Sequence, residues 1–104
     1  MARQYTEEEV REMFLRKVNA IVEYWNNLTG TPEKEKLNGV AFSILATIDG
    51  CNVDLPGFIL APCPAPEDQE YLKTCDENWF PENHESKVQC DIAGGLHDLL
   101  HKYK

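Results

Sequence analysis

The first third of the chain alternates apolar and polar positions with the period of a helix. Its apolar residues recur every three or four positions: Val10, Met13, Phe14, Val18, Ile21, Val22 and Trp25. This spacing places them on one face of an α-helix. Thr6 and Glu9 form a capping box, because each side chain can accept a hydrogen bond from the other residue's backbone N–H. The pattern predicts a helix from Glu7 to about Leu28, which Gly30 ends.

A second helix is predicted after a short connection. Thr31 is the expected N-cap, and Pro32 takes the first helical position, where its missing N–H does no harm. The expected core stripe of this helix comprises Leu37, Val40, Ala41, Ile44, Leu45 and Ile48. Asp49-Gly50 ends the helix. A connection of about three residues makes the two helices antiparallel neighbours.

The two stripes predict one shared core between the helices. We expect its centre to be formed by Val18, Ile21, Ile44 and Leu45. Gly39 lies inside the second helix, where glycine is less favourable than alanine by about 1 kcal/mol. A close approach of another element to the backbone at Gly39 is the expected reason for this glycine.

Shorter apolar runs follow, and they predict a small sheet. The run Phe58-Ile59-Leu60-Ala61 is interpreted as a strand that Pro62 limits, and residues 87–90 alternate weakly and are expected to pair with it. A short helix is expected through Glu70, Tyr71 and Leu72. Residues 76–86 lack periodicity and are expected to form a loop.

The C-terminal residues predict a final helix. Asp91 is its expected N-cap, and its apolar residues are Ile92, Leu96, Leu99 and Leu100. The predicted fold is therefore a single α+β domain of residues 1–104. It comprises an antiparallel helical hairpin, a two-stranded sheet, a long proline-rich acidic connection and a C-terminal helix.

Chain length and composition limit the class of protein. With 104 residues and 42% hydrophobic residues, the chain fits one small folded domain. Its longest apolar run, residues 40–48, is far shorter than the roughly 18 residues that span a bilayer. The acidic N-terminal residues lack the pattern of a secretory signal. We therefore expect a cytoplasmic protein that is not bound to a membrane.

The negative charge is concentrated in one segment. Residues 49–86 carry nine acids and one base, Lys73, so the formal net charge of −8 lies entirely there. Five of the six prolines fall in the same segment, which favours extended or looped backbone. Such a charge repels nucleic acid and attracts basic protein surfaces.

Trp79 and Phe80 lie within this acidic segment and have two interpretations. They either fold back over the helices as a lid or remain exposed as an aromatic anchor for a partner, with carboxylates around them. The second interpretation predicts binding of a basic host protein without direct contact to nucleic acid. The predicted binding residues are Glu67, Asp68, Glu70, Asp76, Glu77, Trp79, Phe80, Glu82 and Glu85.

A zinc protein or a thiol enzyme is an alternative. His97 and His101 are four residues apart on the last predicted helix, and Cys90 or Cys75 could complete a metal site. Cys90 with His97 and Asp91 could form a thiol nucleophile set. However, the four cysteines contain no Cys-x-x-Cys pair. We therefore predict four reduced, metal-free thiols, no cofactor and no enzymatic activity.

Binding of a small ligand is a further alternative, in which the protein sequesters a nucleotide or a similar molecule between the last helix and the loop. Such a pocket needs basic or glycine-lined contacts for an anion. The residues available for those contacts are Lys73, Lys87 and Gly94-Gly95.

Several motifs resemble those of a family of small uncharacterised proteins encoded by tailed phages and prophages. The motifs cover most of the chain and occupy residues 36–45, 48–50, 55–58, 77–79 and 91–97. The resemblance assigns no activity and no catalytic residue. It implies a phage accessory protein in a bacterial cytoplasm, a class that often binds and blocks a host complex, including defence machinery that handles nucleic acid.

Overall fold

The structure, a computed structural model, describes residues 2–81 and 88–104. Its helices are α1 (Glu7–Asn26), α2 (Glu33–Ile48), α3 (Asp68–Thr74) and α4 (Leu96–Leu99), and a 3₁₀ segment (Leu100–Tyr103) follows α4. The chain divides into two units. The first unit comprises Met1–Phe58 and Cys90–Lys104, and the second comprises Ile59–Gln89.

The predicted capping box starts α1. The Glu9 N–H donates to the Thr6 hydroxyl over 3.2 Å, and the Thr6 N–H donates to the Glu9 carboxylate over 2.9 Å. Arg3 adds two hydrogen bonds of 2.6 and 2.7 Å to the two oxygens of Glu9. The Arg3 hydrogen bond and the backbone bond from Thr6 lower the pKa of Glu9 from 4.5 to about 2.

Helix α1 is the central element of the first unit. Its buried core residues are Phe14, Leu15 and Val18. From α2, Ile44 and Ile48 pack against them. The C-terminal residues cover the same cluster with Ile92, Leu96, Leu99, Leu100 and Tyr103. Leu15 is only 2% exposed, although it lies outside the single stripe that the sequence predicted.

Two side chains of α1 hold the C-terminal residues in place. The Asn19 amide donates to the Leu100 carbonyl over 2.7 Å, and the Arg11 guanidinium donates to the Ile92 carbonyl over 3.1 Å. Both acceptors are backbone groups, so the contacts fix the path of the chain as well as its side chains. The C-terminal residues therefore pack on α1 without pairing in a sheet.

The two long helices run antiparallel, as predicted. Trp25 near the end of α1 donates a hydrogen bond of 3.0 Å to Ser43 of α2, whereas Ile44 and Ile48 near the end of α2 pack against the buried cluster earlier in α1. The close approach expected at Gly39 is confirmed. A Cβ atom there would lie 2.6 Å from the indole ring of Trp25.

The chain folds back on itself after α2. The Thr47 side chain is fully buried, donates to the Ser43 carbonyl over 2.9 Å and accepts a hydrogen bond of 2.7 Å from Asn52. Phe58 donates its N–H to the Ile48 carbonyl over 2.8 Å, and its ring packs edge-on against Phe14 with centroids 5.2 Å apart. These contacts hold Phe58 against the core of the first unit.

The predicted two-stranded sheet is wrong. Residues 2–81 and 88–104 contain no β-strand, and the fold of the described residues is helical, not α+β. Within the predicted strand of residues 58–61, Phe58 packs into the core and the next two residues, Ile59 and Leu60, are exposed. Of the second predicted strand, residues 87–90, the first residue lies outside the described part of the chain and the others are exposed. The apolar run of residues 58–61 has no second strand to hydrogen-bond with among the described residues. Its strand-like composition is therefore not sufficient to form a strand.

The prediction of the core residues is also wrong in part. Val18 is buried and Ile44 packs against the core, but Leu45 is 57% exposed. Leu37 of the same predicted stripe is 66% exposed. Leu45 lies outside the side of α2 that meets α1. Leu37 lies one heptad before Ile44 and lines a groove with Val22 and Trp25 of α1, but α1 does not cover it.

Two predicted helix starts are displaced. The N-cap of α2 is Pro32 and not Thr31, and the cap lacks a side-chain hydrogen bond. Asp91 does not cap the last helix, since it accepts a hydrogen bond from the Ala93 N–H and α4 begins five residues later. Gly94 and Gly95 have φ angles of 94° and 76°, which delay the start of the helix.

We predict that Gly39→Ala lowers the free energy of unfolding by about 1–3 kcal/mol, because the added methyl group overlaps the Trp25 ring. Without the overlap, the same change would stabilise α2 by up to about 1 kcal/mol. Chemical denaturation of Gly39→Ala measures the difference. A matched comparison in a Trp25→Leu background should show the loss disappear, and an equal loss in both backgrounds would contradict the packing at this site.

We predict that the contacts of Glu9 with Arg3 and Thr6 stabilise the protein above about pH 4.5 and lose this effect as the pH falls towards 2. The pKa of Glu9 is lower in the folded chain, so its ionised form favours folding and protonation removes that preference. The measurement is the difference in unfolding free energy between wild type and Glu9→Gln from pH 6 to pH 2. The difference should shrink over the lower part of this range. It should be reduced throughout in an Arg3→Ala background, and a difference independent of pH would contradict the prediction.

Candidate partner-binding surface

The predicted binding residues that the structure describes belong to the second unit. We call this set the acidic–aromatic segment: Glu67, Asp68, Glu70, Asp76, Glu77, Trp79 and Phe80. Glu82 and Glu85, which were also predicted, lie outside the described residues. The segment contains α3, which the sequence predicted, and the extended residues that follow it.

Helix α3 begins at a turn closed by two hydrogen bonds. The Asp68 N–H donates to the Ala65 carbonyl over 3.0 Å, and the Ala65 N–H donates to the Asp68 carboxylate over 3.2 Å. Pro66 and Glu67 occupy the middle of this turn. Acidic residues in the first turn also suit the positive end of the helix dipole. The acids at this end of α3 therefore contribute to the helix as well as to the surface charge.

A Schellman motif ends α3 at Asp76. The Glu77 N–H donates to the Leu72 carbonyl over 2.9 Å, and the Asp76 N–H donates to the Lys73 carbonyl over 3.2 Å. Asp76 has a φ of 54°, the left-handed conformation that this motif requires and that glycine usually supplies. The motif reverses the chain direction immediately before Trp79.

The reversal brings Trp79 back to α3. The Lys73 ammonium lies 4.9 Å from the centroid of the Trp79 ring, within the range of a cation–π interaction. Lys73 is the one base of residues 49–86. Lys73 thus pairs with an aromatic ring, whereas its expected partner was an anion. The signal for this pairing in the sequence is the spacing of six residues across a helix end.

The side chains of the acidic–aromatic segment are accessible. Trp79 is 46% exposed and Phe80 is 68% exposed, and all five acids are exposed. Asp68 is held by Ala65, whereas the carboxylates of Glu67, Glu70 and Glu77 accept no hydrogen bond within the part of the chain that the structure describes. These three exposed carboxylates and the two exposed aromatic rings are thus accessible to another molecule.

The residues of the alternative zinc site are not grouped as metal ligands in the described part of the chain. His97 and His101 are exposed, and the helix changes from α to 3₁₀ between them, so four residues no longer make one turn. The four cysteines are exposed free thiols. Among residues 2–81 and 88–104, no group of three His, Cys, Asp or Glu side chains is arranged to hold a metal.

The residues predicted to bind a small anionic ligand are divided between the two units. Gly94 and Gly95 belong to the first unit and precede the four-residue helix α4, while Lys73 belongs to the second unit and contacts Trp79. Lys87 lies outside the described residues. Two grooves of the first unit, of about 350 and 390 Å³, are lined by none of these residues.

Comparisons with models of known families, with curated proteins and with solved structures give no match. Within the described residues, none of the helices has the length and apolar character needed to cross a bilayer.

We predict that Asp76→Gly stabilises the end of α3, because glycine adopts a positive φ without the steric cost of a Cβ atom. Hydrogen exchange of the Glu77 amide, which bonds to the Leu72 carbonyl, should slow several-fold. Asp76→Ala should speed it. Asp76→Asn removes the charge and tolerates the same backbone, so its exchange rate should stay close to wild type. Identical rates in all four proteins would contradict the motif.

Proposed function

We propose that this is a non-enzymatic accessory protein of phage type that binds a basic surface of a host protein through the acidic–aromatic segment. The observation that carries the proposal is the exposure of Trp79 and Phe80, 46% and 68%, beside five exposed acids. Large aromatic side chains surrounded by polar residues are the usual anchors of protein interfaces. The motif resemblance supports the phage setting and a bacterial cytoplasm as the place of action.

The acids and the aromatic rings have different roles in this proposal. A segment with excess negative charge attracts a basic surface over about a Debye length and speeds encounter. Exposed ion pairs add little to the lifetime of a complex. Burial of Trp79 and Phe80 supplies the desolvated contact that keeps the complex together.

The contact between Lys73 and Trp79 indicates how a partner would be recognised. The indole ring already has a cation 4.9 Å from its centroid. Lysine or arginine of a partner can use the same interaction, either on the opposite face or by displacing Lys73, while Glu70 and Glu77 pair with neighbouring bases. A surface that offers several closely spaced cations fits this segment.

Basic surfaces of that kind are typical of proteins that bind nucleic acid, because they neutralise phosphates. The protein would occupy such a surface and exclude the nucleic acid, which makes a nucleic-acid-handling or defence complex the favoured target. Carboxylates that mimic the charge of phosphates are not themselves expected to contact DNA or RNA.

The first experiment identifies the partner. The full chain, immobilised and kept reduced, is incubated with bacterial lysate at low and at moderate salt, and retained proteins are identified by mass spectrometry. A basic protein retained at low salt and weakened at moderate salt is expected. The wild-type bait is compared with Trp79→Ala and with Tyr5→Ala, which removes an aromatic residue that is 60% exposed in the first unit.

We predict that two variant classes affect binding of the purified partner differently. Neutralising Glu67, Glu70 and Glu77 to glutamine should slow association and flatten its salt dependence. Trp79→Ala should mainly speed dissociation and cost about 2 kcal/mol or more, roughly 30-fold in affinity. Surface-immobilised kinetics measured at several salt concentrations separate the two rates.

The matched control for the charge change neutralises three exposed acids of the first unit, Glu8, Glu23 and Glu35. It changes the net charge by the same amount as the acidic–aromatic variant, but it should lower the association rate much less. Circular dichroism verifies that each variant is folded. If the acidic–aromatic variants bind the partner as fast and as tightly as wild type, the segment is not the interface.

A further inference from the structure

Helix α2 has more apolar surface than α1 can cover. Ile44 and Ile48 pack against the α1 core, but three other large apolar residues of the helix are exposed: Leu37 by 66%, Phe42 by 72% and Leu45 by 57%. With 3.6 residues per turn, Phe42 and Leu45 share an outer arc of α2 with the exposed Asn38 and Ala41, whereas Leu37 lies on the same side of the helix as Ile44. A helix that is apolar on two sides is typically covered on both.

Two opposite charges lie at the two ends of α2, on the side of this outer arc. Lys34 lies near the start of α2 and Asp49 at its end, and both are exposed. Each lies about 11 Å along the helix axis from the midpoint between Ala41 and Phe42. Neither forms an ion pair with any other residue within residues 2–81 and 88–104.

Both charges also lie at unfavourable ends of their own helix. A lysine near the N-terminus of a helix faces the positive end of the dipole, and an aspartate at the C-terminus faces the negative end. The last turn of α2 contains no basic residue to offset Asp49. A second helix running antiparallel would bring an opposite charge to each end.

We propose that the outer face of α2 binds the same face of a second copy of this chain, in an antiparallel pair. The two-fold axis passes between Ala41 and Phe42, so that the Phe42 ring of each copy packs over the small Ala41 of the other. Lys34 of each copy then meets Asp49 of the other. One face supplies both halves of the contact, as a two-fold interface requires.

Charge complementarity favours a second copy over an unrelated partner. A different protein would need an acid and a base about 22 Å apart, flanking an apolar stripe, in the order opposite to that of α2. The α2 helix of a second copy provides that arrangement when it runs antiparallel to the first. The pair buries on the order of 1,000 Å² in total, the lower end of specific interfaces, so a weak and reversible association is expected.

Sedimentation velocity of the full chain tests the proposal directly. The protein is examined from about 1 to 300 µM at low salt, with a reductant present because four exposed cysteines can otherwise link copies. A reversible shift from 11.9 kDa to about twice that mass supports the pair. A mass that stays at one chain up to the highest concentration overturns it.

Phe42→Glu tests the face. It places a charge at the centre of the contact and should yield a monomer at all these concentrations. Val53→Glu is the matched control, because Val53 is a fully exposed apolar residue of the same unit outside α2. Val53→Glu should dimerise like wild type. If both variants dimerise equally, the outer face of α2 is not the interface.

A charge-swap pair tests the antiparallel arrangement. In Lys34→Glu and in Asp49→Lys alone, both inter-copy charge contacts become repulsive, and each homodimer should weaken about 10-fold at low salt. A mixture of the two variants restores both attractions. In the heterodimer, the new acid at position 34 of one copy meets the new base at position 49 of the other, and the unaltered Lys34 meets the unaltered Asp49. Heterodimers of about wild-type affinity support the proposal. If the mixture is as weak as the separate variants, the antiparallel pairing is overturned.

Discussion

The first unit depends on one constraint, which is that α1 buries residues on two sides at once. The buried cluster of Phe14, Leu15 and Val18 is covered both by residues of α2 and by apolar residues of the C-terminal segment. Hydrogen bonds from Arg11 and Asn19 to the carbonyls of Ile92 and Leu100 hold those C-terminal residues on α1. Residues more than 80 positions apart in sequence are therefore held on one helix.

The second unit is organised by local hydrogen bonds instead of a core. The turn between Ala65 and Asp68 starts α3, the Schellman motif at Asp76 ends it, and the reversal places Trp79 next to Lys73. None of its described residues is buried. Short local contacts of this kind present side chains without enclosing them.

The proposed partner surface and the proposed self-association use different chemistry and different elements. The acidic–aromatic segment combines excess carboxylates with two aromatic rings, so its natural counterpart is cationic. The outer face of α2 has balanced charges at its two ends and apolar residues between them, so its natural counterpart is itself. A pair of chains would carry two acidic–aromatic segments, and two weak contacts to one basic assembly reinforce each other when their spacing matches.

Features that depend on near neighbours can be predicted from the sequence: the capping box of Thr6 and Glu9, the two long antiparallel helices, the short α3, the contact at Gly39 and the concentration of acids around Trp79. Each follows from spacing, capping or charge within one segment. Which apolar residues are buried depends on tertiary packing and could not be predicted from their spacing. Leu37 and Leu45 fit a helical stripe yet are exposed, Leu15 lies outside the stripe yet is buried, and residues 58–61 have strand composition but no partner strand among the described residues. Periodicity identifies an apolar position, whereas burial requires a second element opposite it, and that element is supplied from distant parts of the chain.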